Sequence, residues 1–395
     1  MIKVFYQWGL EEDFRKISMV GQHMALTRCK VALSGGWGEG FEVGGVGEFV
    51  QMHFADFRKL LYESALKFGA KIRTKVMVES LSPEAAKPCV TLASGEKLYA
   101  DVLIGADGLC SISRATMLGD ADRMTRKKLV LFNALIAREP MMADPDLRSM
   151  LTDNQYSKFI LWFGGGRGAS GFATRSNEYC LQVFARDNDY PFPVSTVDKQ
   201  ELIGALGPCE LRLRKLAEMA HNVIAVPIID QPHLEDWLHK DGRFLVIGEA
   251  AHPLTTGSTY TAGLAAGDGM MLGRLFSHLH EPEQITPFLT AVEEQRQQRI
   301  ARALEIQNTN PVAMSMPAGV EDNKQSLAVA EQIERMSESE YNELADEALR
   351  AVFAYDPEEE ADDWWMQWGI LQERSVKIVP VTFETITVVE ENEQV

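Results

Sequence analysis

The chain has little positive charge: its 395 residues include 39 lysines and arginines against 57 aspartates and glutamates, a formal net charge of −18. With acid in such excess no basic patch can offset phosphate repulsion, which excludes nucleic acid as a partner. Much of the acid lies near the C-terminal end, in Asp356-Pro-Glu-Glu-Glu360, Asp362-Asp363 and Glu390-Glu391-Asn392-Glu393, and reads as solvated surface or a frayed tail. No apolar run reaches the roughly 18 residues that a membrane-spanning helix needs. Cysteine is scarce and scattered. Cys29, Cys89, Cys110, Cys180 and Cys209 show neither C-x-x-C nor metal-ligand spacing, and their odd number, without a secretory signal, predicts a reducing, cytoplasmic location. His233, His239, His278 and His280 lack zinc-ligand spacing and no H-E-x-x-H occurs, so no metal is expected. No G-x-S-x-G is present, which argues against an α/β-hydrolase nucleophile.

What is present is a 46% hydrophobic chain, enough to bury a large core in one compact unit of two subdomains. Two stretches stand out. Residues 101–114 read Asp-Val-Leu-Ile-Gly-Ala-Asp-Gly-Leu-Cys-Ser-Ile-Ser-Arg, and residues 243–253 read Arg-Phe-Leu-Val-Ile-Gly-Glu-Ala-Ala-His-Pro. Each is a short apolar strand running into a tight turn with an acid in it, Asp107 in the first and Glu249 in the second. Each turn then leads to a helix. In a parallel α/β sheet, ligands bind outside the carboxyl ends of the strands. Helix N-termini there offer N–H groups to anions, and turn carboxylates can accept from sugar hydroxyls. Asp107 would equally serve as a helix cap, and the two roles are compatible.

Together the two stretches resemble the FAD-dependent aromatic hydroxylases related to salicylate hydroxylase. Gly105-Ala106-Asp107-Gly108 with Ser111 and Arg114 is similar to that family's Asp-Gly motif. Gly248, Ala250, Ala251, His252 and Pro253 match its Gly-Asp-Ala-Ala-His-Pro motif, with Glu249 in place of the aspartate. The segment Phe353-Ala-Tyr-Asp-Pro with Asp362-Asp363-Trp364-Trp365 resembles the C-terminal end of fungal members. The resemblance covers almost the whole chain. It departs at the start, where members have a strand, a G-x-G-x-x-G turn and a helix for the ADP pyrophosphate. Here the chain opens Met1-Ile-Lys-Val-Phe-Tyr-Gln-Trp8, and the glycines at Gly35–Gly40 and Gly44–Gly47 lack that spacing before a helix. His53-Phe54-Ala55-Asp56 stands where members commonly carry His-Arg-Ala-Asp, so an apolar ring replaces a cation that contacts FAD. Asn133 likewise stands where relatives often have an arginine.

Along the chain, Asp56 reads as the cap of an amphipathic helix ended by Gly69. A strand over Lys71–Leu81 and a hairpin around Ser94-Gly95-Glu96 follow. Val130–Ala137, Phe159–Phe163 and Tyr179–Ala185 read as strands, Ala262–Leu279 as a small-residue helix, 283–307 as a charged helix and 325–354 as a helical pair. Arg167, in a glycine-rich turn, reads as an exposed arginine, and His252 as a structural hydrogen-bonder.

The resemblance implies an α/β fold: a parallel-sheet FAD-binding fold, incomplete at the N-terminus, with a β-rich substrate-covering subdomain and a helical C-terminal region. The expected division is 1–127, a partial FAD-binding domain; 128–197, the β-rich subdomain; 198–310, a return to the FAD-binding domain with the second motif; and 311–395, C-terminal helices and acidic tail. It implies an oxidoreductase that uses FAD, NAD(P)H and O₂ to hydroxylate a small aromatic or polyketide-like molecule, in secondary metabolism. It places Asp107, Gly108, Arg114, Glu249, Ala262 and Gly263 at the flavin, with Arg114 supporting the Asp-Gly turn. The flavin carries the chemistry, so no side chain is singled out as catalytic. Two other readings stay open. One is a flavin-free relative that catalyses a non-redox step or only binds a small molecule. The other is a truncated gene model, which explains the missing first unit but neither Phe54 nor Glu249.

Overall fold

The computed structural model describes residues 2–28, 41–42, 49–84, 87–119, 124–151, 156–163, 168–174, 177–254, 256, 258, 260–309, 335–337, 339–340, 343–344 and 355–369. Arg167, the glycine run at Gly35–Gly40 and nearly all of 325–354 lie outside these residues.

Helices α1 (Ile2–Gln7) and α2 (Glu11–Ile17) lead into strands β1 (Ser18–Arg28), β2 (Phe41–Glu42) and β3 (Val50–Met52), then helix α3 (Phe54–Lys67). A three-stranded antiparallel ribbon follows: β4 (Val78–Ser82), β5 (Cys89–Leu92) and β6 (Lys97–Tyr99). Strand β7 (Leu103–Gly105) and helix α4 (Ile112–Leu118) carry the first motif. Next come β8 (Thr125–Ala137), α5 (Arg138–Ala143), α6 (Pro145–Arg148), β9 (Tyr156–Phe163), β10 (Gly168–Ala173), β11 (Glu178–Arg186) and β12 (Ser195–Thr196). Helices α7 (Lys199–Leu206) and α8 (Leu211–Met219) precede β13 (Asn222–Asp230). The second motif follows strand β14 (Phe244–Val246), and α9 (Thr261–Phe276), α10 (Ile285–Thr309) and α11 (Pro357–Trp364) complete the described elements.

The largest sheet has nine strands in the order β12-β13-β8-β11-β10-β9-β1-β2, with β3 also paired to β1. It is antiparallel except where β1 runs parallel to β9. Strand alternation gives it two faces. Val130, Phe132, Ala134 and Ile136 of β8 and Tyr179, Leu181 and Val183 of β11 point to one, where Leu202, Leu206, Leu213 and Leu216 of α7 and α8 cover them in a fully buried core. This sheet is not confined to residues 128–197. It takes β1–β3 from earlier in the chain and β13 from later, because Val223, Ala225 and Ile229 are apolar and buried beside β8.

The parallel sheet has two strands among the described residues, β14 beside β7, paired from Phe244↔Leu103 to Val246↔Gly105. Its core joins Phe244, Leu245, Val246, Leu264, Met271, Phe288 and Val292 of β14, α9 and α10. A third cluster packs Val4, Phe5 and Phe14 of α1 and α2 against Phe57 and Leu60 of α3 and Met270 of α9.

Two local readings change. Helix α3 starts at Phe54, with the His53 side chain accepting from the Ala55 N–H at 3.2 Å, so His53 and not Asp56 is the cap. Asp56 sits in the first turn, where its charge still favours the helix dipole. The strand expected over Lys71–Leu81 shortens to β4, because Lys75 takes a left-handed conformation (φ 57°) that breaks the extended run. The hairpin turn lies at Gly95 (φ 83°), joining β5 to β6.

Gly105, the last residue of β7, lets α4 lie close against the strand. A Cβ there would meet Ser113 Oγ at 2.3 Å and Ser113 Cβ at 2.4 Å. Gly105→Ala is therefore expected to destabilise the chain by about 1–3 kcal/mol, and Ser113→Gly in the same chain should recover much of the loss. Thermal unfolding of the two single variants and the double variant checks this; additive losses would remove the close approach as the cause.

Candidate active site

The two motifs emerge side by side. Strands β7 and β14 are hydrogen-bonded parallel neighbours, and the Ile247 N–H donates to the Gly105 carbonyl at 2.8 Å just as both chains leave the sheet. The turns Ala106-Asp107-Gly108 and Gly248-Glu249-Ala250 thus open from the same end of the sheet, where an α/β fold puts a ligand.

In the first turn Ser111, not Asp107, is the N-cap of α4, and Asp107 supports it. Its carboxylate accepts from Ser111 Oγ (2.6 Å) and from the Ser113 N–H (3.0 Å), while Ser111 Oγ accepts from the Arg114 N–H (2.7 Å). The carboxylate is nonetheless exposed. Gly108 adopts φ 73°, with open space where a Cβ would stand, so a ligand can approach its backbone. Arg114 is buried and reaches across to the second motif, donating to the carbonyls of Ala250 and Pro232. It ties one turn to the other.

In the second turn Glu249 is half-buried, and its carboxylate has no hydrogen-bond partner among the described residues. Burial raises its pKa, with His252 opposing. An unsatisfied, partly desolvated carboxylate is costly unless a ligand donates to it. Ala262 and Gly263 lie in the first turn of α9, a 16-residue helix whose Tyr260 cap position supplies no side-chain hydrogen bond. Ala262 is exposed and Gly263 half-exposed. The structure therefore gathers Asp107, Gly108, Glu249 and the α9 N-terminus around one end of the sheet, with Arg114 beneath.

Under the second turn lies a buried polar network that the sequence did not reveal. Asp268 of α9 is fully buried; its Oδ2 accepts from the Gly248 N–H (2.9 Å) and bonds His252 Nε2 (2.6 Å). Its Oδ1 accepts from Arg296 Nε (2.7 Å), and Arg296 also donates to the Leu264 carbonyl (3.0 Å) and to Tyr355 Oη (2.8 Å). Burial alone would push Asp268 up, but Arg296 and His252 outweigh it and hold the carboxyl below its ordinary range. Trp237 stacks on His252, with ring centroids 5.0 Å apart, so His252 acts as a structural hydrogen-bonder. Gly267 admits the arginine, since a Cβ there would fall 2.8 Å from Arg296 Nη2. One signal was available: an ionisable residue on the apolar stripe Leu264, Met271, Leu275 of a helix.

Two positions read as departures from the resemblance lie outside the two turns. Phe54 is 70% exposed at the start of α3. Asn133 lies on the face of the large sheet opposite the α7–α8 core. Gly166, Gly168 and Gly171 match the bare G-x-G-x-x-G spacing, but Gly168 and Gly171 belong to antiparallel β10 and precede no helix. Among the described residues no group of three or more His, Cys, Asp or Glu is placed to hold a metal, and no helix is long and apolar enough to cross a membrane.

Removing the Asp268 carboxylate leaves Arg296 buried and uncompensated, so Asp268→Ala should cost about 3–5 kcal/mol. The contribution of a depressed carboxyl is present above the ordinary aspartate pKa and is lost as pH falls through the native value. Denaturant titrations should therefore show the full gap between wild type and variant at neutral pH and a shrinking gap below about pH 4. A gap independent of pH would mean that packing, not charge, sets the cost.

No family model matches the chain. Relatives do. The FAD-dependent monooxygenase OpS4 of Beauveria bassiana is 24% identical over 309 residues, 76% of this chain and 71% of that protein. The FAD-dependent monooxygenase phomE of Diaporthe leptostromiformis is 28% identical over 253 residues, 64% of this chain but only 65% of its own length. Among solved structures, a salicylate hydroxylase substrate complex superposes with a TM-score of 0.70 at 19% identity, covering 91% of this chain and 87% of that one. That last likeness concerns the fold. The chain is thus similar in sequence to FAD-dependent monooxygenases, and in fold to the salicylate hydroxylase structure.

Proposed function

We propose that this chain is an FAD-dependent monooxygenase that uses NAD(P)H and O₂ to hydroxylate a small aromatic or polyketide-like molecule, in the cytoplasm and in secondary metabolism. The observation that carries the reading is the Glu249 carboxylate: half-buried, raised by burial, and unpartnered among the described residues at the mouth of the paired parallel strands. FAD fits these residues. Glu249 would accept from a ribityl hydroxyl, the N–H groups of Ala262 and Gly263 would face the flavin ring, and the open backbone of Gly108 would admit the chain between them. Asp107 would hold the first turn in shape while staying exposed to the cofactor, and Arg114 would keep the two turns at a fixed separation. Bound FAD, reduced by NAD(P)H, supplies the oxygen chemistry; the protein binds, orients and excludes water. In this reading the part formed by α1–α3, β4–β7, α4 and β14–α11 holds the cofactor, and the nine-stranded sheet covers the substrate.

A flavin-free relative remains the second reading, supported by the apolar, exposed Phe54 at the α3 N-terminus.

Glu249→Gln separates binding from stability. A carboxyl with a raised native pKa costs stability as pH rises above its ordinary value, so the variant should melt slightly higher than wild type at pH 8 and equally at pH 4. The same variant should retain roughly tenfold less FAD after incubation and desalting, because a charge-assisted hydrogen bond becomes a neutral one. Retention is read from the visible flavin bands. A folded wild-type protein that stays colourless would overturn the monooxygenase reading in favour of the flavin-free one.

A further inference from the structure

The face of the nine-stranded sheet turned away from α7 and α8 bears a row of polar side chains with no charge among them. Register places Asn133 of β8 beside Gln182 of β11 and beside Ile224 of β13, and Gln182 beside Ser170 of β10. Cross-strand partners share a face, so Asn133, Gln182 and Ser170 line up across three strands. Their orientation is fixed from one side. Cys180 Sγ donates to Asn133 Oδ1 at 3.2 Å, and Ser170 Oγ donates to Gln182 Oε1 at 3.0 Å. Burial, helped by Glu178, pushes the Cys180 thiol up to about 12, which keeps it protonated and donating. Both amide oxygens are thus occupied, and both NH₂ groups, half-buried, have no partner among the described residues.

The surroundings are apolar. Leu131 and Phe184 are buried on the same face, and Phe159 stacks on Phe172 at 5.6 Å. In β8–β11 and β13 the charged residues on this face stand at strand ends, at Lys127, Glu178, Arg186 and Asp230.

Two anchorages join this sheet to the part that bears the candidate site. The opposite face is sealed by α7 and α8. At one corner β13 ends at Asp230, and within four residues the chain bonds to both motifs, through the Pro232 carbonyl to Arg114 and through the Leu234 N–H to the Ala251 carbonyl. At the other corner Met52 of β3 packs in the cluster that holds Phe57 of α3 and Ala266 and Met270 of α9. The centre of the sheet therefore spans the gap between two anchorages on the cofactor-binding part.

We propose that Asn133 and Gln182 are specificity-determining residues that donate their two amide N–H groups to a neutral acceptor, such as an amide or ketone carbonyl, on an uncharged aromatic substrate. The assignment rests on the proposed hydroxylase function for the identity of the site, and it deepens that reading by naming the substrate class. A carboxylate-bearing aromatic is disfavoured, because burying the anion at the Asn133–Gln182 pair, with the cations of these strands standing only at strand ends, costs more than two neutral donors return.

The test is calorimetric titration of the full chain, incubated with FAD, with two probes that differ in this one group: salicylamide and salicylate. Wild type should bind salicylamide at least about tenfold more tightly, and the Asn133→Leu, Gln182→Leu double variant should lose about that factor for salicylamide alone. Asn133→Arg places a cation at the pair itself and should reverse the preference; a gain of salicylate binding cannot arise from unfolding. A wild type that prefers salicylate or binds neither probe, a double variant that keeps the preference, or an Asn133→Arg variant that does not reverse it would each overturn the proposal. Flavin bands recorded on the same samples keep the two readings apart. Colourless protein with the preference intact removes the hydroxylase function and leaves the amide pair, whereas yellow protein without the preference does the reverse.

Discussion

The arrangement of the candidate site depends on one buried carboxylate. Asp268 has no contact with solvent, yet it receives the Gly248 N–H, His252 and Arg296 at once. Those bonds set the backbone of the second turn, the ring that packs beneath it, and the position of α9 against α10. The network continues outward. Arg296 passes through Tyr355, which hydrogen-bonds Glu360 of α11, and Asp362 of the same helix holds Arg274 of α9 through two bonds of 2.7 and 2.8 Å. The C-terminal helix is therefore coupled to the turn that presents Glu249, though it lies about a hundred residues further along the chain. A buried ion pair of this kind is a poor source of net stability, but breaking one half of it is costly. Its worth lies in fixing a single arrangement of the elements it joins.

Arg114 repeats the same logic at the first turn. Its guanidinium is buried, and it spends its donors on main-chain carbonyls of the other motif and of the segment leaving β13. Main-chain carbonyls cannot be moved by side-chain rotation, so this contact fixes the two turns relative to each other and to the large sheet. Asp107 does its work within four to six residues, closing the N-terminus of α4. The result is a division of labour. Buried charges hold the backbone of the two turns, while the groups left with free hydrogen-bonding capacity, Glu249 and the α9 N-terminus, stand partly exposed where a ligand could reach them.

How much of this could be read from the sequence follows from which interactions are local. The two strand–turn–helix stretches were legible because a short apolar strand, a glycine at positive φ and a capping residue are neighbours in sequence; Gly108 and Gly248 both adopt positive φ in the structure. The identity of Arg114 as a bridge was half-legible, since its position in the motif shows but its partners, more than a hundred residues away, do not. Asp268 and Arg296 were hidden for two different reasons. Asp268 sits among glycines and alanines that read as a close-packing helix, and Arg296 sits in a run of charges that reads as a solvated face. The cap of α3 was misplaced because aspartate is the better capping residue in general, whereas here the histidine imidazole reached the Ala55 N–H first. Strand membership was legible but sheet membership was not. Nothing local in residues 18–28 announces that they run parallel to β9, more than a hundred residues ahead.

The departures from the family's pattern therefore differ in weight. The buried scaffold beneath the second turn, from Trp237 and His252 to Asp268 and Arg296, is fully bonded in its ion pairs and closely packed. Glu249 and Phe54 are changes at a half-buried and an exposed position, and neither disturbs that scaffold. A chain that had drifted free of any ligand would gain stability by neutralising a half-buried carboxylate without a hydrogen-bond partner among the described residues, since burial penalises its charge more than the nearby His252 offsets. An acid kept there, one methylene longer than aspartate but still aimed from the mouth of the parallel strands, is better explained by a donor that the protein itself does not supply. A flavin's hydroxyl-bearing chain is such a donor, which is why the physical cost at Glu249 supports cofactor binding more strongly than the loss of a cation at the exposed Phe54 speaks against it.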